Sequence, residues 1–347
     1  MACFPRVVYV FHRIFLMIDI KVELLLSKLT AHNRIIMKEA WKYTGPILDA
    51  HTHIGSIEKI SEMIDIENEY GVTKQIGIVH DKEGFQLAKE KYPDRFIYAK
   101  YLSLRDIAQY NIPPVLEDIS SLLDEGFSLA KMWFGPRWRD FIENVPKDFK
   151  INNYKLDPVF QALEDMGIPL IIHVGDPDTY YASQYKDSDK YGYKDDHLHE
   201  LEDVISCYDR LRFQIPHFGA QPEINRLPNL SRWLDNYQNI VVDTASSRWM
   251  ARELSKDTAK AREFMLKYSD RVLFGTDIFA GRGDHDYFSG RYIAQRLLWE
   301  TDERGTPLPF VDADTVNTGG TFINGLDLPD SVLRKLYWEN ANRLYAA

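Results

Sequence analysis

The chain has 347 residues, 45% of them hydrophobic, with a formal net charge of −10 and a pI near 5.5. That is enough apolar material for a large core, and the acidic balance argues against nucleic acid as a partner, which calls for a basic face. The two cysteines, Cys3 and Cys207, form no metal-binding or disulfide framework, which points to a reduced, cytoplasmic protein.

In chain order, the first stretch is an apolar run at residues 4–20, interrupted by Arg6, His12 and Arg13. A membrane span needs about 20 mostly apolar residues, and a signal peptide needs a small-residue cleavage site. Neither pattern is met, so no membrane partner is expected. Residues 1–40 read as a peripheral N-terminal extension, with Met17 and Met37 as alternative starts, and residues 41–347 read as one domain. After the breaker pair Gly45-Pro46, Ile47 and Leu48 open a buried strand. Seven further short apolar runs follow, at 74–80, 96–102, 128–134, 169–175, 212–218, 240–244 and 272–277.

Segments with helical period lie between them. They cover 57–70 with Gly71 as a stop, 113–124 before Gly126, and a helix opened by Asp157-Pro158 and closed by Gly167. Residues 229–237 and 251–268 each read as one further helix. Strands alternating with helices imply parallel strands joined by crossovers. Eight such units favour an α/β fold of the closed (β/α)8 TIM-barrel type, which needs about 250 residues. The long connections at 176–196 and 281–328 follow strand ends, where a lid or substrate wall is expected.

Polar residues interrupt the apolar runs at their C-terminal ends. Residues two apart on a strand share a side, so His51 and His53 aim two imidazoles at one point, an arrangement suited to a divalent metal. His173, His217 and Asp277 end three other strands, and Lys131 sits in the fourth. A lone strand-end histidine is ordinarily just hydrogen-bonded in place. A closed barrel, however, brings all C-terminal strand ends to one rim, and this set would meet there. Trp133, Tyr180, Tyr181, Arg248, Trp249 and Arg282 follow strand ends and are candidate pocket walls. Trp133, Tyr180, Arg248 and Arg282 are taken as substrate-binding, with either arginine gripping a carboxylate bidentately; for both, a plain surface arginine is an equally good reading. His197 and His199 read as solvated, and His80 is given no role.

Four segments carry a family resemblance: Asp49-Ala-His-Thr-His53, Ile172-His-Val-Gly-Asp176, Pro216-His-Phe-Gly219 and Phe274-Gly-Thr-Asp277. They are similar to signature segments of the amidohydrolase superfamily. More narrowly they resemble its amidohydrolase-related branch, which includes aminocarboxymuconate semialdehyde decarboxylase. Trp338-Glu-Asn-Ala-Asn-Arg-Leu-Tyr345 resembles that branch's closing helix.

The resemblance implies a distorted barrel holding one divalent metal ion, zinc, on His51, His53, His173 and Asp277. His217 would assist the metal-bound water or polarise the substrate, and Asp277 would carry the proton. Binuclear members use a carbamylated strand-four lysine to bridge a second metal; for Lys131 a substrate-facing or hydrogen-bonded lysine is the preferred reading. The implied activity is a metal-dependent hydrolase attacking a small amide, lactone or ester through a metal-bound hydroxide. The alternative from the same residues is a metal-dependent decarboxylase, a carbon–carbon lyase acting on an aromatic or dienoic acid. A non-enzymatic binding protein gains little from a complete ligand set. The expected partner is a small molecule, and a homo-oligomer is compatible with the sequence.

Overall fold

The computed structural model describes residues 41–55, 57–146 and 148–346. The chain divides into two units, Met1–Lys42 and Tyr43–Ala347. The extension at residues 1–40 lies outside the described residues, and so does its expected peripheral role.

In the second unit nine strand segments follow in order: β1 (Ile47–Ile54), β2 (Val72–Val79), β3 (Phe96–Tyr101), β4 (Leu129–Trp133), β5 (Leu170–His173), β6 (Phe213–Ile215), β7 (Ile240–Asp243), β8 (Val272–Leu273) and β9 (Ile278–Phe279). They form one sheet in the order β8-β7-β6-β5-β4-β3-β2-β1-β9, and the pairings are parallel. The two outermost segments, β8 and β9, are halves of one stretch. The first half pairs with β7 and the second with β1, so residues 272–279 close the sheet on itself as a distorted (β/α)8 barrel. The eighth expected strand is therefore split at residues 274–277. Two backbone bonds stitch the split to β1, from Ala50 N to Phe274 O (2.7 Å) and from Asp277 N to His51 O (2.9 Å).

The strands read as nearly continuous apolar runs because both faces are covered. Leu48, Ala50, Ile76, Ile78, Ala99, Leu129, Ile171, Val241 and Leu273 cluster with Ala341, and Trp338, Leu344 and Tyr345 pack against the group. The closing helix Asn340–Tyr345 thus belongs to the barrel core. Asn340 Nδ2 fixes it by donating to Ser269 O (2.7 Å) and Val272 O (2.9 Å).

Residues 251–268 differ from the single helix expected. They belong to two helices, Ser247–Leu254 and Thr258–Lys267, because the Asp257 side chain accepts from Lys260 N at 3.1 Å and starts a new helix. A charged helix at Lys82–Lys91 had no counterpart in the expected set; Asp81 caps it through Gly84 N at 2.6 Å.

Both long connections are built rather than loose. Residues 176–196 contain the short helices Asp178–Tyr181 and Ser188–Tyr191. Residues 281–328 contain the helix His285–Glu300 and the antiparallel pair β10 (Thr306–Pro307) and β11 (Phe322–Ile323). Arg252 ties the two connections together. Its buried guanidinium donates to Glu253 (2.7 Å), Asp312 (3.0 Å) and Asp314 (2.6 Å) on one side, and to Thr179 Oγ1 (3.0 Å) on the other. Among the described residues no helix is long and apolar enough to cross a membrane.

Candidate active site

Strand β1 delivers two histidines to the barrel rim. Asp49 sets up the ground beneath them. It is fully buried and accepts from Thr276 N (3.2 Å), Thr276 Oγ1 (2.5 Å), Tyr292 OH (2.9 Å) and His51 N (3.1 Å), which pins the split strand against β1. Burial raises the Asp49 pKa to about 7. Just beyond the pinned turn, Asp277 adopts a left-handed backbone with φ of 62°. Its carboxylate then faces both histidines: Oδ1 lies 3.0 Å from His53 Nε2 and 3.6 Å from His51 Nε2.

Ligand atoms of His51, His53 and Asp277 all lie within 4.8 Å of one another. Each histidine is braced through its other nitrogen. His51 Nδ1 meets Asp243 Oδ2 at 2.9 Å, and His53 Nδ1 meets His80 Nε2 at 2.8 Å. Burial, outweighing the hydrogen bond to Asp277, pulls His53 down to about 4. Burial also opposes ionisation of Asp277, but the hydrogen bond from His53 and the neighbouring histidines hold its carboxyl well below the usual range. A neutral His53 imidazole and the His51 imidazole with a carboxylate behind it, beside the ionised Asp277, fit a divalent metal.

His173 stands apart from that trio. Its Nε2 lies 3.0 Å from Asp176 Oδ1 and its Nδ1 lies 3.2 Å from His217 Nε2. His217 has a left-handed backbone with φ of 59°, and its backbone N–H donates to Asp243 at 3.1 Å. Its ring stands edge-on to Trp249 at 4.8 Å. Burial, with His173 alongside, pulls the His217 pKa down to about 3. Lys131 is also buried, which lowers its pKa to about 8 against the opposing pull of Asp243 and Asp277.

His51, His53, His80, Lys131, His173, His217 and Asp277 open onto a cavity of about 650 Å3. Trp133, Trp249, Arg248 and Arg282 line it, as do Arg137, Arg291, Phe141, Phe279, Tyr287 and Phe310. Tyr180 is not on the wall; its hydroxyl accepts from Arg248 Nη2 and so holds that guanidinium from behind. Sequence reasoning missed Asp243, Arg137, Arg291 and Phe310. Asp243 carried the same signal as the others, a charge at the end of an apolar run. His197 is a correction: it is buried, with Nε2 2.7 Å from Tyr191 O, because its helix turns it under the Ser188–Tyr191 segment. His199 is exposed at 75%, as expected for a solvated residue.

The family model described as Amidohydrolase matches residues 125–347, more than half of the chain. The chain belongs to the amidohydrolase family. A search of the curated proteins finds no match to this amidohydrolase. Among solved structures it is similar to 5-carboxyvanillate decarboxylase from Novosphingobium aromaticivorans, complexed with manganese and 4-hydroxy-3-methoxy-5-nitrobenzoic acid. Identity is 14% over 87% of this chain and 96% of the other, with a TM-score of 0.51. A mutant of the same enzyme, also with manganese, gives 15% identity over 87% and 97% of the two chains and a TM-score of 0.51. The 5-carboxyvanillate decarboxylase of Sphingomonas paucimobilis gives 12% identity over 87% and 99%, with a TM-score of 0.52. At these identities the likeness is one of fold. The zinc expected from the sequence is corrected: the two metal-bound structures carry manganese. The physical reason is that imidazole and carboxylate donors accept either ion.

Proposed function

We propose that this amidohydrolase is a metal-dependent decarboxylase of an aromatic acid. The observation that carries the reading is the cavity wall. Around the His51–His53–Asp277 trio, Arg137, Arg248, Arg282 and Arg291 share the lining with Trp133, Trp249, Phe279 and other rings. Rings of this kind accept a planar aromatic body, and guanidinium groups grip carboxylates bidentately. A neutral amide or lactone would leave those cations without use. The solved structures named above are decarboxylases of an aromatic acid, and the aminocarboxymuconate enzyme of the branch resembled by the signature segments is a decarboxylase too, of a dienoic acid.

A divalent ion on His51, His53 and Asp277, with manganese the ion to test, would stabilise negative charge on the substrate oxygens. We keep His173 as a fourth ligand to be tested beside that trio. In the reaction the ring–carboxyl bond breaks, carbon dioxide leaves, and the electron pair stays on the ring carbon, which takes a proton. Asp277, ionised at rest, is assigned to relaying that proton from solvent to the carbon, and His217 to stabilising charge on the substrate. Trp133 and Trp249 orient the ring, and Arg248, held by Tyr180, fixes the carboxylate.

The test is a panel of hydroxybenzoate-type acids, amides and lactones given to the manganese-loaded protein, scored for carbon dioxide and for acid release. Carbon dioxide from an aromatic acid is the expected result. Acid release from an amide or lactone without carbon dioxide would reinstate the hydrolase reading.

A further inference from the structure

One ring of the cavity wall faces solvent. Phe141 is 58% exposed and lines the cavity. Among the described residues nine large apolar side chains are exposed, and Phe141 is the one of them that lines this cavity. Single exposed apolar residues are ordinary on a protein surface. One that continues the wall of a binding cavity extends the surface a ligand meets. The cavity, at about 650 Å3, lies within the range of roughly 300–1,000 Å3 that receives drug-sized ligands, which is more room than one carboxylated ring takes.

Phe141 sits on a fixed base. It follows the short helix Pro136–Asp140, and its N–H donates to Trp138 O at 3.1 Å. Trp138 is buried and packs edge-on against Phe134 at 5.9 Å and Phe149 at 5.1 Å. From this base the rings step down into the cavity. Phe141 lies 6.1 Å from Trp133, tilted by 43°, and Trp133 stands edge-on to His173 at 6.4 Å. Along that path the side chains pass from exposed Phe141 through half-buried Trp133 to buried His173. Both separations lie in the 4.5–7 Å range over which aromatic rings attract one another. A different ring, Phe279, stacks on His53 at 5.7 Å beside the trio. The cavity thus offers one aromatic contact at its floor and a second at its rim, with Trp133 between the rim and His173.

We infer that Phe141 is a specificity-determining residue, and that the substrate is a carboxylated aromatic ring bearing a second aryl group. The first ring takes its carboxylate to the histidine–aspartate floor. The second ring leaves the floor along Trp133, packs on Phe141 and stays on the product. This deepens the decarboxylase reading and rests on it for the acid carried by the first ring.

The experiment is calorimetric binding to the manganese-loaded full chain, so it needs no turnover. The probes are benzoate, biphenyl-3-carboxylate and biphenyl-4-carboxylate. At least one biphenyl acid is expected to bind about tenfold or more tighter than benzoate, the gain of a second ring removed from water against an aromatic partner. Phe141→Ala is expected to remove most of that preference. Phe141→Leu keeps an apolar side chain but not the ring face and should retain part of it. Because Phe141 is exposed, neither change opens the core, and circular dichroism checks the fold. Equal binding of all three acids to the parent protein would overturn the subsite, whether or not the variants fold. So would a folded Phe141→Ala that keeps the full biphenyl preference. A Phe141→Ala that keeps it while turning an oligomer into a monomer in light scattering would assign the ring to contact between copies instead. Carbon dioxide release with no biphenyl preference would retain the decarboxylase and discard the second-ring subsite. A biphenyl preference lost in Phe141→Ala, with no carbon dioxide from any acid, would retain the subsite and discard the decarboxylase.

Discussion

Asp243→Asn tests how the candidate metal trio His51, His53 and Asp277 is held. Asp243 is wholly buried, and its two oxygens accept four hydrogen bonds. Oδ2 takes His51 Nδ1 (2.9 Å) and Gln214 Nε2 (2.7 Å), and Oδ1 takes His217 N and Ala245 N (both 3.1 Å). Burial alone would raise its pKa, but His51 and its other donors hold the carboxyl far below the usual range, so it is ionised. An asparagine of the same shape has one acceptor oxygen. Whichever way it faces, its NH2 opposes two N–H donors. If the oxygen leaves His51, the imidazole no longer has a carboxylate fixing its proton on Nδ1, and Nε2 loses its preset role facing Asp277. Removing such a bracing partner costs about 10–100-fold in metal affinity, or about 1.4–2.7 kcal/mol. The assay is titration with Mn2+, following free ion by electron paramagnetic resonance, with circular dichroism to confirm the fold. A folded Asp243→Asn that binds manganese as tightly as the parent would refute the bracing role.

Other consequences follow from parts of the molecule outside the cavity. Arg252→Ala leaves the buried carboxylate of Asp312 without its cation and Glu253 with Lys256 alone; a loss of about 3–5 kcal/mol in urea unfolding is expected, and a change under 1 kcal/mol would show that the cluster contributes no net stability. Gly325→Ala places a methyl 2.1 Å from the Thr301 carbonyl oxygen, backbone that cannot swing away; it should destabilise by about 1–3 kcal/mol, and an unchanged melting temperature would contradict the packing of that turn. Burial lowers the pKa of His197, against the hydrogen bond from its ring to Tyr191 O. The unfolded chain, with a histidine near about 6.5, then binds the proton more readily. The contribution of neutral His197 is therefore complete above about pH 6.5 and is lost as pH falls toward the folded value. Melting curves of the parent and of His197→Gln should diverge in slope below that pH, and parallel slopes would reject the assignment.

The strands were legible because a barrel strand is covered on both faces, so Ile47-Leu48, residues 169–175 and residues 240–244 read as apolar runs. The split in the last strand was not legible, since it depends on Asp49, more than 200 positions earlier, gripping Thr276. Asp257 was a readable cap signal that the helical period of 251–268 masked. In the site, strand-end logic reached His51, His53 and Asp277, whose convergence follows from the barrel rim. The same logic applied to Asp243 but was not followed. Arg291 and Phe310 had no local signal, because the 281–328 connection places them, and that placement hangs on contacts such as Arg252 with Asp312. His197 lies in a charged stretch, and only its tertiary position under Tyr191 makes it buried.

The closure of the barrel has a bearing on how the protein is made. The first strand finds its last neighbour only when Ile278 and Phe279 are available, and the core is filled from below only by Ala341 and the helix around it. A nascent chain halted after the seventh strand would hold His51 and His53 next to an open edge, with no Asp277 to complete the trio. On the ribosome, residues laid down first must therefore wait for nearly the whole chain before the three-residue candidate site is assembled.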